Sequence, residues 1–215
     1  MSYDLVFWGA GTMRTHRPLW MAEELGLAYS HRPIEARTGE TREPGYLAIN
    51  PRHKVPAMVH GDVVLTESAA IMGYLAETFP ATHVMVPETV LERARLAEWQ
   101  YFIMSELDAN GLYSMRRHGP LKAIYGDSPV AVESGRTYFL HQLEQMEDQL
   151  RAARPFLMGE LFSSVDILFT SCLDWAVAYE IDLPDYLEDY RSKMTARPAY
   201  ERARAVNYPG TEISI

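Results

Sequence analysis

The sequence predicts an α+β N-terminal half, ordered βαβ-ββα, followed by an all-α helical bundle. Three observations carry this. Up to Pro80 the apolar runs are short and change rhythm between period two and the helical period. From Thr89 onward the rhythm is helical throughout. Between them lies a stretch bounded by Pro80 and Pro87, the composition of a linker. The expected organisation is a first domain over 1–80, a linker over 81–88 and an all-α domain over 89–215.

The elements follow in order. Leu5 to Trp8 reads as a buried strand. Arg14 to Leu25 has the spacing of a helix, with Gly26 at its C-cap position. Tyr29 to Glu35 reads as a second strand, and the polar, glycine-containing segment Ala36 to Gly45 as a loop. Val55-Pro56 precedes a short apolar strand, Ala57 to Val59. Gly61-Asp62 is a two-residue hairpin turn, and Val63 to Leu65 returns antiparallel. Glu67-Ser68 then opens a helix whose apolar positions are Ala70, Ile71, Tyr74, Leu75 and Phe79, and Pro80 stops it. In the second half, Phe139, Leu143, Met146 and Leu150 repeat at helical spacing, as do Val165, Leu168, Phe169, Cys172, Trp175 and Tyr179. Ser163 and Asp166 have the spacing of a capping box, with Phe162 and Ile167 at the staple positions. The tail from Asn207 carries Pro209-Gly210 and a short β-like end.

Composition narrows the function classes. With 215 residues and 47% hydrophobic content, the chain can bury a substantial core. Charged residues interrupt every apolar run before it reaches membrane-spanning length. Met1 leads directly into the first strand without a basic region or cleavage site, so the reading is cytoplasmic, without a membrane partner. One cysteine, Cys172, excludes an intramolecular disulfide framework and a Cys-x-x-Cys pair; its apolar neighbours mark it as a buried small hydrophobe. The net charge of −9 argues against nucleic acid as a partner. Residues 1–80 hold 7 Lys and Arg against 9 Asp and Glu, and the remainder 13 against 20, so an anionic ligand meets less repulsion in the first half.

The most informative stretch is Asn50-Pro51-Arg52-His53-Lys54-Val55-Pro56-Ala57-Met58-Val59, closed seven residues later by Thr66-Glu67-Ser68. A proline ahead of a short strand keeps the preceding residue extended, with its backbone groups free to pair with another chain. An X-Pro bond there can be cis. The helix that starts at Glu67-Ser68 offers a positive dipole end to a carboxylate. Together these residues form a docking edge for an anionic peptide. This arrangement, from about Tyr3 to Pro80, resembles the glutathione-binding, thioredoxin-like half of the cytosolic glutathione transferases, of the serine or theta-like, bacterial-type lineage. The Ser163–Asp166 box is similar to one in the helical domain of that family.

The resemblance implies glutathione as co-substrate, no metal, and a homodimer in which the all-α domain contributes a pocket for an electrophilic small molecule. The role implied is detoxification. It assigns the main chain of Val55 to the cysteinyl part of glutathione, Lys54 to the glycyl carboxylate, and Glu67 and Ser68 to the γ-glutamyl end. The family places its thiol-activating residue just after the first strand. Here that segment, Trp8-Gly9-Ala10-Gly11-Thr12-Met13-Arg14-Thr15, lacks Ser, Tyr and Cys. Thr12 stands in the serine's place, with Thr15 as runner-up; a threonine there also reads as a helix cap. The absence of Cys argues against the mixed-disulfide branches. A glutathione-dependent isomerase or dehalogenase uses the same scaffold, although Gly11-Thr12-Met13 lacks the Ser-Ser-Cys pattern of the isomerases. A non-catalytic binding or assembly module is the other alternative, favoured by the missing Ser, Tyr and Cys and opposed by Lys54, Val55, Glu67 and Ser68.

Overall fold

A computed structural model describes residues 4–152 and 155–209. They form two compact units. The first runs to Val86 and resumes at Ser192; the second is Pro87–Arg191. Most of the β-like end read after Asn207 lies outside the described residues.

The first unit is built on β1 (Leu5–Ala10), α1 (Met13–Glu24), β2 (Ser30–Glu35), β3 (Ala57–His60) and β4 (Val63–Thr66). Two short helices precede the last two strands: a 3₁₀ turn, Glu40–Arg42, and α2, Pro44–Leu47. The helix α3 (Ser68–Thr78) closes the motif. The sheet order is β2-β1-β3-β4, with β1 parallel to β2 and the remaining pairs antiparallel. Leu5 and Phe7 of β1 are buried, as are Met58 of β3 and Ile71 and Leu75 of α3. The helix α1 ends as Gly26 predicts. Gly26 has φ +64, its N–H reaches Glu23 O, and Leu27 N–H reaches Ala22 O at 3.0 Å, which together make a Schellman motif.

The segment read as a loop over 36–45 differs in detail. Pro44 supplies a preset φ at the first helical position, and α2 starts there. Glu40 accepts from the Glu35 N–H and the Thr38 hydroxyl, which tightens the preceding turn.

The helix α11 (Pro198–Asn207) packs on α1 in this unit. Arg197 makes a bidentate pair with Glu24, at 2.6 and 2.9 Å, and Arg202 pairs with Glu23 at 2.7 Å. The Tyr200 ring meets His16 and Trp20 edge-on at 4.9 Å each. Burial lowers the His16 pKa to about 4, with the Arg17 and Arg204 charges adding to the effect and the Tyr200 carbonyl opposing it. The consequence for stability has a definite sign. Above pH 6.5 His16 is neutral in both states and contributes no pH dependence. Below it the unfolded chain binds a proton that the folded chain refuses, so stability falls with pH until about 4. Between pH 7 and pH 5 this group is expected to remove about 2 kcal/mol, at 1.36 kcal/mol per unit. Urea unfolding of the protein and of His16→Phe at both pH values checks it; equal slopes for the two would remove His16 as the cause.

The second unit is helical: α4 (Val90–Tyr101), a π-helical continuation Phe102–Leu112, α5 (Tyr113–His118), α6 (Lys122–Tyr125), α7 (Pro129–Gln145), α8 (Glu147–Ala152), α9 (Ser164–Ala178) and most of α10 (Asp185–Thr195). Thr89 and Glu92 form a capping box at the start of α4. Every residue of α9 from Ser164 to Ala176 is buried, including Cys172, so this helix is the core of the unit. Gly135 lets α7 approach the π-helical turn; a Cβ there would lie 2.8 Å from Gly111 O. Among the described residues, no helix is long and apolar enough to cross a membrane.

Candidate active site

Three loops of the first unit meet at one end of its sheet. The first joins β1 to α1 and begins at Gly9, whose φ of +118 favours glycine. A Cβ on Gly9 would lie 2.6 Å from Thr15 Cγ2 and 2.7 Å from Val55 Cβ. Glycine therefore allows the second loop, which enters β3, to pack directly on the first. The third loop follows β4. In the β3–β4 register Ala57 pairs with Thr66, which sets Val55 beside Glu67 and Ser68.

The second loop is held from below. Asn50, buried, donates from Nδ2 to Lys54 O at 2.8 Å and accepts the Arg52 N–H at 3.1 Å. The Tyr46 hydroxyl also donates to Lys54 O, at 2.5 Å. Burial raises the Tyr46 pKa, so the phenol keeps the proton this bond needs. The peptide that follows is thereby oriented, and the Val55–Pro56 bond is cis. Among the described residues, none hydrogen-bonds the Val55 backbone N–H or C=O. The Lys54 side chain is exposed and Val55 is half-buried.

Glu67 is the N-cap residue of α3, with φ +70 and ψ 117, a sparsely populated conformation for a residue with a side chain. Its carboxylate meets Arg52 Nη1 at 3.1 Å, and Arg52 Nη2 also donates to the Thr66 hydroxyl. Ser68 is buried at the first position of α3, and its Oγ lies 3.5 Å from Nη1 of the fully buried Arg17.

The two candidate hydroxyls differ. Thr12 is the N-cap of α1 and half-buried; its Oγ1 accepts the Thr15 N–H at 3.0 Å. Thr15 is buried, and its Oγ1 donates toward Thr12 O at 2.8 Å or Asn207 Oδ1 at 2.5 Å. Thr12 therefore keeps access to solvent, and Thr15 is committed to the interior. The five residues singled out in the sequence (Thr12, Lys54, Val55, Glu67 and Ser68) lie on loops that adjoin. Arg52, Asn50, Tyr46 and Asn207 join them. Asn50-Pro51 carries a turn signal that marks the Asn50 side chain as a backbone partner. Nothing local marks Asn207.

Such a site offers an open main-chain edge, a helix N-terminus, a carboxylate, a cation and a hydroxyl. A family model described as the glutathione S-transferase N-terminal domain matches residues 4–77. The glutathione S-transferase-like protein gedE of Aspergillus terreus is 36% identical over 223 aligned positions, covering 94% of this chain and 95% of the relative. The chain belongs to the glutathione S-transferase family. Solved structures agree. A theta class glutathione S-transferase from Xanthomonas axonopodis pv. citri, with glutathione bound, is 27% identical with a TM-score of 0.77, covering 94% of this chain and 97% of that one. A glutathione transferase homolog from Lodderomyces elongisporus, with two GSH per subunit, has a TM-score of 0.84 at 21% identity, covering 94% and 98%. That last likeness is one of fold. The fold of this glutathione S-transferase family member is accordingly the thioredoxin-like sheet followed by a helical domain.

Proposed function

We propose that the protein conjugates the glutathione thiolate to a small apolar electrophile, in the manner of a serine-type transferase with Thr12 in the serine's place. The observation that carries this reading is the Val55 backbone, left without a partner among the described residues, next to the start of α3. A γ-glutamyl peptide has the groups for it: main-chain N–H and C=O for Val55, a carboxylate for the Ser68 helix end, an ammonium for Glu67, and a second carboxylate for Lys54. The family supports a homodimeric, cytoplasmic enzyme of detoxification, with the helical domain supplying the electrophile pocket.

Thr12 supplies the chemistry. The Thr15 N–H polarises its hydroxyl, which keeps its proton and donates a hydrogen bond to the thiolate, while the proton of the thiol leaves to solvent. A free thiol has a pKa of ~8.5. Lowering it by ~2 units takes ~2.7 kcal/mol. A hydrogen bond to a charged acceptor contributes roughly 1.5–3 kcal/mol, and a helix N-terminus ~0.3–1 kcal/mol. The thiolate then attacks the electrophilic carbon. A C–S bond forms, and the leaving group departs with the electron pair of the bond that breaks.

The deciding experiment titrates the protein with glutathione across pH, following thiolate absorbance near ~240 nm together with heat. Binding with a thiol pKa well below ~8.5 is expected. Binding with an unshifted pKa would overturn the activating role, and no binding would favour the non-catalytic module. Glu67→Gln separates grip from stability. The Arg52–Glu67 pair is more than half exposed, so its loss should change stability by less than ~0.5 kcal/mol. Glutathione affinity should fall about 10-fold, the weight of one charged contact. Calorimetry and a thermal melt on one sample check both; unchanged affinity would remove Glu67 from the binding site.

A further inference from the structure

The turn that carries Thr12 is loose by composition. Gly9 and Gly11 both precede Thr12 in it, at positive φ of +118 and +67, and glycine brings the largest backbone freedom of any residue. A hydroxyl that must meet a thiolate within a few tenths of an ångström needs that turn held from outside. One side chain does so from far along the sequence. Asn207 is the last residue of α11 and is fully buried. Its backbone carbonyl, one of the four that a helix end leaves unpaired, accepts the Gly11 N–H at 2.9 Å. Its Nδ2 donates to Thr12 O at 2.9 Å, and its Oδ1 accepts from Thr15 Oγ1 at 2.5 Å. These partners also settle the amide orientation, because the reverse would set two carbonyl oxygens against each other.

We propose that Asn207 is a positioning residue for the thiol-activating hydroxyl, fastening the Gly11–Thr12 turn and directing the Thr15 proton away from Thr12. The second half of this statement follows from counting protons. The Thr15 hydroxyl has one, and Thr12 O at 2.8 Å and Asn207 Oδ1 at 2.5 Å both compete for it. The contact between the two threonine hydroxyls, at 3.0 Å, is then a donation from Thr12 toward Thr15. A charged acceptor outcompetes a neutral hydroxyl for that Thr12 proton, so an arriving thiolate takes it over. Without the Asn207 side chain, Thr12 O alone of these two acceptors is left to hold the Thr15 proton away from Thr12 Oγ1, and the turn loses the Nδ2 bond to Thr12 O.

This inference rests on the reading of Thr12 as the activating group, and the test separates the two. The protein is compared with Asn207→Ala, Thr12→Val and the double variant, reading the thiol pKa of bound glutathione, its affinity, turnover and the melting temperature. Asn207→Ala is expected to raise the bound-thiol pKa by about one unit and lower kcat about 10-fold. Glutathione affinity should stay within about twofold, because no gripping residue is touched. In the Thr12→Val background the same change should leave the pKa where it is, since coupled residues do not add. A lower melting temperature with an unmoved thiol pKa would overturn the positioning role, as would equal pKa shifts in both backgrounds. If Thr12→Val alone leaves the pKa unmoved, the reading of Thr12 falls first, and the role of Asn207 with it. Should Asn207→Ala fail to fold, Asn207→Asp keeps the acceptor for Thr15 and removes the donor to Thr12; its charge by itself raises the thiol pKa, so a larger rise is expected with Thr12 present than in the Thr12→Val background, and equal rises or no rise overturn the proposal.

Discussion

Asp166→Ala should destabilise the protein by about 3–5 kcal/mol, the range for breaking a buried charged network by removing one partner. Asp166 is fully buried near the start of α9 and accepts four hydrogen bonds. Oδ1 takes the Leu157 N–H at 2.8 Å and the Tyr190 hydroxyl at 2.6 Å; Oδ2 takes the Ser163 N–H at 2.7 Å and its hydroxyl at 2.6 Å. The capping box read from Ser163 and Asp166 is therefore one half of a larger junction. It ties the loop before α9, the N-terminus of α9 and the helix α10 together. Burial pushes the Asp166 pKa up, and the four donors oppose this. Alanine would leave those donors without an acceptor in a dry interior, where each orphaned group costs about 1–3 kcal/mol. For a chain of this size the melting temperature should drop by roughly 10 °C or more. Removing the exposed Arg95–Glu98 pair instead should cost under ~1 kcal/mol, which serves as the control. A melt of Asp166→Ala within ~2 °C of the parent would contradict the network's role.

Thr12→Val is expected to have the largest effect on activity. It keeps the size of the side chain and removes the hydroxyl. The bound glutathione thiol should lose most of its activation, with the pKa rising by about 1–2 units and turnover near neutral pH falling ~10–100-fold. Glutathione affinity should be largely retained, because Val55, Glu67 and Ser68 are untouched. The variant also loses an N-cap, which costs about 1 kcal/mol of stability. Thr12→Ser should restore both properties, since serine caps and donates equally well. A stopped-flow pH profile of the thiolate absorbance distinguishes the two contributions. Loss of affinity in parallel with turnover, or no change in either, would refute the activating role.

Much of the fold was legible because its signals are local. Val55-Pro56, the Gly61-Asp62 turn and the Ser163–Asp166 spacing each act over two to four residues, and the structure contains each feature. The start of α3 at Glu67-Ser68 was equally legible, but the left-handed backbone at Glu67 was not, because no glycine or asparagine announces it. The Arg52–Glu67 pair joins residues fifteen apart across a hairpin, and charge pattern alone does not select one arginine among several. The helical rhythm read from Thr89 onward does not show in which unit α11 packs. Its partners on α1 lie more than 170 residues away, at Glu23 and Glu24. Asn207 was invisible for the same reason: its three bonds all reach residues 11–15.

That separation has a consequence for biosynthesis. The strands and helices up to Phe79 leave the ribosome early and hold the Val55 edge and the Glu67–Ser68 helix start among themselves. The turn bearing Thr12 has to wait, because Asn207 is translated 195 residues after it. A nascent chain stopped after α9 would carry the docking edge but leave the Gly11–Thr12 turn unfastened. The order of synthesis thus withholds the fully assembled hydroxyl site until α11 is made.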